Sequence, residues 1–298
     1  MSNLSPRALS VVVLTALLGA PALAGGASMP MAMPMTSGTV SVNGTTVFYK
    51  TAGSGQPLVL IHGYPLNGEL FKNNRALPGY QVITVDLPGF GKSVAPDANA
   101  SIENYARTML AFMDAMKLDK AIVGGMSMGG MTLLQMYKLA PERFKGLILI
   151  DTTAEPAGVA EAANWRGTAQ QAQQQGVASL VPILLPRMLT SVSRTTMPNQ
   201  VAHLSTLVKN ASLNGVVGGG NALAARPDAN PILPTITVPT LIIAGVEDNL
   251  TPTELQLKMN SAIPGSTLVE IPGAGHAATF EKAAQVNAAL LKWLPTVR

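Results

Sequence analysis

Short runs of apolar residues, rich in valine, isoleucine and leucine, recur along the chain. They occupy positions 58–61, 82–85, 121–123, 147–150, 241–244 and 268–271. Each run has about the length of a buried strand, and most of the intervals leave room for a helix. Continuous apolar strands that alternate with helices are typical of a parallel sheet covered on both faces. The pattern therefore predicts an α/β fold with a mostly parallel central sheet.

The segment before the first of these runs predicts a β-hairpin. Val40 and Val42 alternate with polar residues, and apolar positions resume at Val47 after Asn43 and Gly44. An Asn-Gly pair suits a two-residue turn in which both central residues take positive φ. We expect this hairpin to add antiparallel strands at one edge of the sheet.

One interval is much too long for a single helical crossover. About 85 residues separate Asp151 from the strand that follows Pro239. They include helix-like stretches at 157–175, 178–189, 200–210 and 214–225. We interpret residues 154–235 as a helical cap, inserted into an α/β core that residues 38–153 and 236–298 form.

The first 24 residues have the pattern of a secretory signal peptide. Arg7 precedes an apolar run at 9–18, and residues 21–24 (Pro-Ala-Leu-Ala) provide an A-x-A-like cleavage site. The apolar run is too short to span a bilayer as a helix. The alternative is a buried or membrane-lying helix. We expect cleavage after Ala24 and an exported protein, periplasmic or secreted, without a membrane-spanning segment.

Residues 25–37 are rich in glycine, methionine and proline and predict a flexible tether. Between residues 29 and 35, methionine alternates with proline or alanine, without the apolar periodicity of a helix or strand. Because thioethers are soft ligands that can hold Cu(I), a copper-handling segment is the alternative interpretation.

The composition of the chain argues against several classes of function. The chain of 298 residues has a formal net charge of +4, and its lysines and arginines are scattered, which argues against a nucleic-acid partner. The chain contains no cysteine, which excludes disulfides, thiol catalysis and cysteine-bound metal. With 47% hydrophobic residues, the chain can bury a sizeable core.

The clearest chemical motif is Gly125-Met126-Ser127-Met128-Gly129, which fits the pattern G-x-S-x-G. It lies between a predicted strand and a helix-like stretch, which is the context of a nucleophile elbow. The serine of such an elbow lies on a tight turn, so the residues two before and two after it must be small. We predict that Ser127 is a nucleophile; the alternative is an ordinary glycine-rich turn.

A serine hydroxyl needs a neighbouring base, and the chain contains three histidines. His276 lies in a glycine-rich loop directly after the last predicted strand, at the edge of the sheet where Ser127 should emerge. His203 falls in the presumed cap, and His62 follows the first apolar run. We predict that His276 is the general base and that His62 has a structural role in its loop.

The third member of a catalytic triad is a carboxylate that orients the histidine. Asp248 follows the strand at 241–244 and falls between the serine and the histidine in the chain. Glu247 is adjacent but should point the other way. Asp151 is a second rival, because it ends an earlier strand at the same edge of the sheet. We predict that Asp248 is the triad carboxylate.

Backbone N–H groups are expected to stabilise the oxyanion of a tetrahedral intermediate. The first is the N–H of Met128, immediately after Ser127 at the start of the next helix, where negative charge is favoured. The second is the N–H of Tyr64, in the loop after the strand at 58–61. Because both donors belong to the backbone, side-chain substitutions at these positions should change shape more than charge.

Taken together, these segments resemble the α/β-hydrolase fold superfamily. The supporting residues follow the family's order through nearly the whole predicted mature domain, at 62–65 (His-Gly-Tyr-Pro), 86–93, 125–130, 245–252 and 275–276 (Gly-His). The third of these contains the predicted nucleophile. The second could be mistaken for a phosphate-binding loop, but it lacks the P-loop spacing. The resemblance implies a helical cap over the active site and neither a metal nor an organic cofactor.

Within the superfamily, the chain is most similar to small bacterial esterases, lactonases and cofactor-free perhydrolases, whose elbow often reads G-x-S-M-G-G. Epoxide hydrolases and haloalkane dehalogenases share the motif His-Gly-x-Pro but have an aspartate at the elbow, where this chain has Ser127. Proline iminopeptidase-like enzymes usually carry tryptophan beside the serine, where this chain has Met128.

The expected function is hydrolysis of a carboxylic ester of a small to medium substrate through an acyl-enzyme. Lactone, C–C bond and peracid chemistry can use the same triad, so a fold of this kind does not select among them. A protein of the same fold that binds a small ligand without catalysis is the alternative from another class of function.

Overall fold

The computed structural model describes residues 11–12 and 35–297. Within these residues, nine strands form one sheet. The strands are β1 (Val11–Val12), β2 (Met35–Val42), β3 (Thr45–Gly53), β4 (Gln56–Ile61), β5 (Tyr80–Val85), β6 (Ala121–Met126), β7 (Phe144–Ile150), β8 (Thr240–Gly245) and β9 (Thr267–Ile271). Their order across the sheet is β1-β9-β8-β7-β6-β4-β5-β3-β2. Neighbours pair in parallel except β2 with β3 and β3 with β5, so the predicted α/β class with a mostly parallel sheet is confirmed.

The predicted hairpin is formed by β2 and β3. In its turn, Asn43 has a φ of 49° and Gly44 a φ of 75°, the positive values that an Asn-Gly pair tolerates. β2 begins at Met35, because its first residues continue the antiparallel pairing as far as Ala52. The last three residues of the predicted tether therefore belong to a strand.

The centre of the sheet is buried on both faces. All six residues of β6 and all six of β8 are buried. Because successive side chains of a strand point to opposite faces, burial of every residue means that both faces are covered.

The α-helices of the described chain divide into two groups. They are α1 (Ile102–Ala115), α2 (Met128–Leu139), α3 (Val159–Gln175), α4 (Val181–Met188), α5 (Ser191–Thr196), α6 (Pro198–Lys209), α7 (Leu213–Ala224), α8 (Thr253–Ala262), α9 (Ala278–Glu281) and α10 (Ala283–Trp293). In the first group, α2 packs on β4, β6 and β7, α8 on β8 and β9, and α10 on β9. The second group, α3 to α7, lies between β7 and β8 in the chain.

Within the second group, α3 packs on α7, and α6 packs on α4 and α5. A backbone hydrogen bond joins this helical layer to the core: the N–H of Ser212 donates to the carbonyl of Gly89. A Cβ on Gly215 would overlap the carbonyl oxygen of Gly89. A glycine at this position therefore lets α7 begin in direct contact with the loop after β5.

The predicted signal peptide and most of the predicted tether lie outside the described residues. The exception in the signal segment is β1, whose backbone pairs in parallel with Leu268 and Val269 of β9. In the part of the chain that the structure describes, no helix is both long enough and apolar enough to cross a membrane.

Candidate active site

Ser127 lies on the turn between β6 and α2. Its φ is 53° and its ψ is −118°, a backbone conformation that residues with a side chain seldom adopt. The N–H of Ser127 donates to the carbonyl of Ile150 at 2.9 Å, and the hydroxyl of Thr152 donates to the carbonyl of Ser127 at 2.7 Å. The end of β7 and the residues after it therefore hold the unusual turn in place.

The residues around this turn are small because backbone segments meet there. A Cβ on Gly125 would overlap the carbonyl oxygen of Gly129, and a Cβ on Gly129 would overlap that of Ile61 in β4. A Cβ on Gly63 would lie 3.0 Å from the Cβ of Ser127. A side chain at any of the three glycines would thus separate the strand, the helix and the loop after β4.

The imidazole of His276 lies between Ser127 and Asp248. Its Nε2 is 2.9 Å from Oγ of Ser127, and its Nδ1 is 2.8 Å from Oδ2 of Asp248. Because an ionised carboxylate can only accept hydrogen bonds, Nδ1 carries the proton and Nε2 presents its lone pair to the serine hydroxyl. The structure thus brings together the three side chains that the sequence suggested for a triad.

Asp248 is buried and accepts several hydrogen bonds. Its Oδ1 accepts from the N–H groups of Leu250 and Thr251 at 2.7 and 3.1 Å, and its Oδ2 accepts from the hydroxyl of Thr251 at 2.7 Å. Burial alone would raise the pKa of Asp248, but His276 and Thr251 outweigh burial and hold this pKa below its ordinary value. The neighbouring Glu247 is exposed.

Three carboxylates surround the imidazole of His276. Burial disfavours its charged form, but Asp248 first, then Asp151 and Glu281, raise the pKa of His276 above the ordinary imidazole value. A higher pKa makes the neutral imidazole a stronger base toward a serine proton.

Asp151, the rival carboxylate, does not bond to the imidazole. It is completely buried after β7, where Oδ1 accepts from the N–H of Gly245 at 2.8 Å and Oδ2 from the N–H of Ala278 at 3.1 Å. Burial, followed by the charge of Asp248, raises the pKa of Asp151 well above its ordinary value. Asp151 therefore joins the loop that carries Asp248 to the loop that carries His276.

The two predicted oxyanion donors follow residues that meet at the nucleophile turn: Met128 follows Ser127, and Tyr64 follows Gly63, whose Cβ position lies 3.0 Å from the Cβ of Ser127. Met128 is the first residue of α2, and Tyr64 lies in the loop after β4. Among the described residues, neither backbone N–H donates to a protein acceptor. The buried hydroxyl of Tyr64 donates to the carbonyl of Val216 in α7 at 3.1 Å, and its ring lies edge-on to Trp165 of α3, with centroids 5.6 Å apart. The loop after β4 therefore contacts two helices of the layer between β7 and β8.

The other two histidines have different surroundings. His62 is fully buried; its Nδ1 donates to the carbonyl of Gly63 and its Nε2 accepts from the N–H of Leu87, both at 2.9 Å. It thus joins the loops after β4 and β5, as a structural residue would. His203 lies on α6 and stacks on Phe280, with ring centroids 5.5 Å apart.

The sequence did not predict a role for three polar residues of this region: Thr152, Thr251 and Glu281. Thr152 bonds to the backbone of Ser127, and Thr251 bonds to Asp248. Glu281, only 4% exposed, bonds to residues on both sides of the site. Their only signal in the sequence is a position close to a motif residue, which many surface residues share.

Comparisons with known proteins identify relatives of this chain. The chain is 30% identical over 270 residues to a putative non-heme chloroperoxidase of Synechocystis sp., covering 83% of this chain and 94% of the relative. It is 28% identical over 256 residues to 3-oxoadipate enol-lactonase 2 of Acinetobacter baylyi, covering 85% and 94%. A thermophilic esterase from Thermogutta terrifontis has a similar structure, with a TM-score of 0.83, 30% identity, and coverage of 87% of this chain and 97% of that one.

The sequence pattern of the family described as alpha/beta hydrolase fold matches residues 56–283. This range contains Ser127, Asp248 and His276 and the whole sheet from β4 to β9. The chain therefore belongs to the alpha/beta hydrolase fold family and is a hydrolase of that family.

Proposed function

We propose that the protein is a serine hydrolase that cleaves a carboxylic ester of a small to medium substrate through an acyl-enzyme. The observation that carries the proposal is the continuous contact from Ser127 through His276 to Asp248, at 2.9 and 2.8 Å. The side chains have the distances and proton arrangement that a base-activated serine requires.

In the first half of the reaction, Oγ of Ser127 attacks the ester carbonyl carbon while its proton passes to Nε2 of His276. Asp248 stabilises the imidazolium that results. The carbonyl oxygen becomes an oxyanion, which the N–H groups of Met128 and Tyr64 stabilise by hydrogen bonds. The imidazolium then donates its proton to the leaving alcohol as the C–O bond breaks, and the acyl group stays on Ser127.

In the second half, water takes the place of the alcohol. His276 removes a proton from the water, the hydroxide attacks the acyl carbon, and a second oxyanion forms at the same donors. Return of the proton to Oγ of Ser127 releases the carboxylic acid and restores the free enzyme. At the start of each half Asp248 is ionised, in line with its lowered pKa, and His276 is neutral when the pH lies above its raised pKa.

Two observations bear on the substrate. Ser127 is 9% exposed, so its side chain is largely covered by protein. The related structure from Thermogutta terrifontis is that of an esterase. A lactone, which is an internal ester, is the second candidate, because the relative from Acinetobacter baylyi is an enol-lactonase.

The test is hydrolysis of p-nitrophenyl esters of graded acyl length, with γ- and δ-lactones in parallel, by the wild type and by Ser127→Ala. We expect the substitution to lower kcat by at least about 10⁴-fold, because the acyl group loses its acceptor. The matched control is Ser261→Ala, at an exposed serine of α8, which should keep wild-type rates. Residual turnover near wild type in Ser127→Ala would contradict the mechanism. A folded wild type that turns over neither esters nor lactones, yet binds one of them saturably, would favour the binding-protein alternative.

For localisation, we propose that a signal peptidase removes residues 1–24 and that the mature protein is periplasmic or secreted. The support is the pattern of Arg7, the apolar run at 9–18 and the cleavage site at Ala24. N-terminal sequencing of protein from the exported fraction should begin at Gly25. Recovery of the whole protein in the cell extract with Met1 or Ser2 at its start would contradict export.

A further inference from the structure

The backbone on both sides of His276 is hydrogen-bonded to groups outside the loop that carries this histidine. The N–H of Gly275 donates to Oε2 of Glu281 at 2.6 Å, and the N–H of Ala277 donates to the carbonyl of Met188 at 2.9 Å. A Cβ on Gly275 would lie 3.2 Å from both of these acceptors, so the absence of a side chain permits the close approach. The position of the imidazole therefore depends on α9 and on the end of α4.

Glu281 of α9 also bonds to the residues that follow α4, and so connects both elements to the histidine loop, which is the segment between β9 and α9 that carries His276. Its Oε1 accepts from the N–H of Thr190 at 2.8 Å and from the hydroxyl of Thr190 at 3.1 Å. Thr190 is the N-cap of α5, since its own hydroxyl oxygen accepts from the N–H of Ser193 at 3.1 Å. The two oxygens of one buried carboxylate thus hold the junction between α4 and α5 on one side and Gly275 on the other.

We propose that Glu281 is a positioning residue, which keeps the imidazole of His276 at hydrogen-bonding distance from Ser127 by joining the histidine loop to the α4–α5 junction. This inference rests on the proposed function, since it assigns a role in the same reaction. Glu281 does not touch the reacting atoms; it acts through the backbone of Gly275.

An amide cannot replace this carboxylate. In Glu281→Gln the side chain keeps its shape, but one oxygen becomes an NH₂ group that faces an N–H donor, either at Gly275 or at Thr190. A buried donor without an acceptor is unfavourable, so the backbone at that point must shift. A shift of the imidazole relative to the serine hydroxyl slows proton transfer and leaves substrate binding nearly unchanged. We expect kcat to fall about tenfold, with little change in KM.

Two further variants separate position from charge. Thr190→Val removes the hydroxyl bond to Glu281 and the N-cap bond from Ser193, but it keeps the carboxylate and the backbone N–H donor of residue 190, so kcat should fall by about two- to threefold. Glu254→Gln removes a negative charge from an exposed residue of α8 and should leave kcat unchanged. The charged or titratable groups that face the imidazole of His276 are Asp248, Asp151 and Glu281.

Two readouts report on the serine–histidine pair without ester turnover. The first is the second-order rate at which a fluorophosphonate labels Ser127, measured well below the unfolding temperature of each variant. The second is the imidazole NMR signals of His276, which is one of three histidines and can be assigned with a His276→Gln variant. The loss of the Glu281 charge should also lower the pKa of His276, which moves the acidic limb of the labelling rate to lower pH.

The proposal predicts that Glu281→Gln slows labelling about tenfold and changes the His276 signals, that Thr190→Val does the same to a smaller extent, and that Glu254→Gln does neither. Wild-type labelling rates and unchanged His276 signals in the two variants would overturn the proposal, even if both unfold at lower temperature. If Glu281→Gln does not fold, Thr190→Val decides alone. Failure of the wild type to hydrolyse esters would count against the proposed function, whereas the NMR comparison still tests Glu281.

Discussion

On the serine side of the site, backbone packs directly against backbone, whereas on the histidine side buried carboxylates accept hydrogen bonds from backbone N–H groups. The serine side depends on Gly63, Gly125 and Gly129, where any Cβ would crowd or overlap its neighbours. The histidine side depends on three buried carboxylates, Asp151, Asp248 and Glu281. Their backbone donors are Thr190, Gly245, Leu250, Thr251, Gly275 and Ala278.

The difference has a physical consequence. Close packing of backbone tolerates no added atom, because a packed interior has no free volume, but it carries no charge and does not respond to pH. A buried carboxylate, by contrast, responds strongly to loss of charge or of a hydrogen bond. The serine side should therefore fail only when volume is added, whereas the histidine side should also fail when charge is removed.

The largest effect is expected for Asp248→Asn on the histidine side. An amide at this position would favour the tautomer of His276 that carries its proton on Nε2, which cannot accept the proton of Ser127. We expect kcat for a p-nitrophenyl ester to fall by about 10⁴-fold, with little change in KM. The matched control is Glu247→Gln, at the adjacent exposed carboxylate, which should keep the wild-type rate. A large loss in the control, or a small loss in Asp248→Asn, would reassign the triad carboxylate.

A smaller but still large effect is expected for Gly129→Ala on the serine side. The added methyl group would overlap the carbonyl oxygen of Ile61, so β4 and α2 must separate. We expect a loss of about 1–3 kcal/mol in the free energy of unfolding, measured with urea. Displacement of the serine should lower kcat by roughly 100-fold.

The control for added volume is Gly167→Ala. Gly167 lies on α3, and a Cβ there would meet no atom within 4 Å. Because alanine is the better helix former, this variant should be more stable than the wild type by about 0.5–1 kcal/mol and equally active. If the two alanine variants had the same stability, close packing at Gly129 could not be what requires glycine.

The serine side could be predicted from the sequence because its requirements are local. The motif at 125–129 contains both the nucleophile and the two glycines that let it turn, and the flanking apolar patterns identify the strand and the helix. The strand pattern at 58–61 and 241–244 likewise predicts where loops leave the sheet. Tyr64 then follows as a residue of the first of those loops, and Asp248, on the histidine side, follows as a residue of the second.

The histidine side could be predicted only in part, because its hydrogen bonds join distant residues. Glu281 bonds to Thr190, 91 positions earlier in the chain, and no local pattern marks either residue. Asp151 and Asp248 both follow strands at one edge of the sheet, and only the three-dimensional arrangement shows which carboxylate meets Nδ1 of His276.

The pattern of apolar and polar residues did not predict the helix α5 either. Its residues are serine, valine, arginine and threonine, several of which are poor helix formers. The N-cap of α5 is Thr190, which at the same time bonds to Glu281. A tertiary contact thus fixes the start of a helix that local propensity does not favour.

The smallest effect concerns Asp151 and depends on pH. Because burial raises the pKa of Asp151 above its value in the unfolded chain, the folded state binds a proton more tightly, and the stability that this proton contributes is lost as pH rises through the raised pKa.

Asp151→Asn does not titrate. It keeps one carbonyl oxygen as an acceptor and leaves one N–H, of Gly245 or Ala278, without its partner, which lowers the free energy of unfolding by about 1–2 kcal/mol at low pH. As pH rises, only the wild type loses stability at this site, so the difference between the two proteins should shrink. Urea unfolding of both at pH 5 and pH 8 measures this difference, with Asp119→Asn, at an exposed aspartate, as the control that should show no such trend. A difference that stays constant with pH would mean that Asp151 keeps an ordinary pKa. The histidine side would then hold a third ionised carboxylate, whose ionisation in the folded protein costs no more free energy than that of an exposed carboxylate.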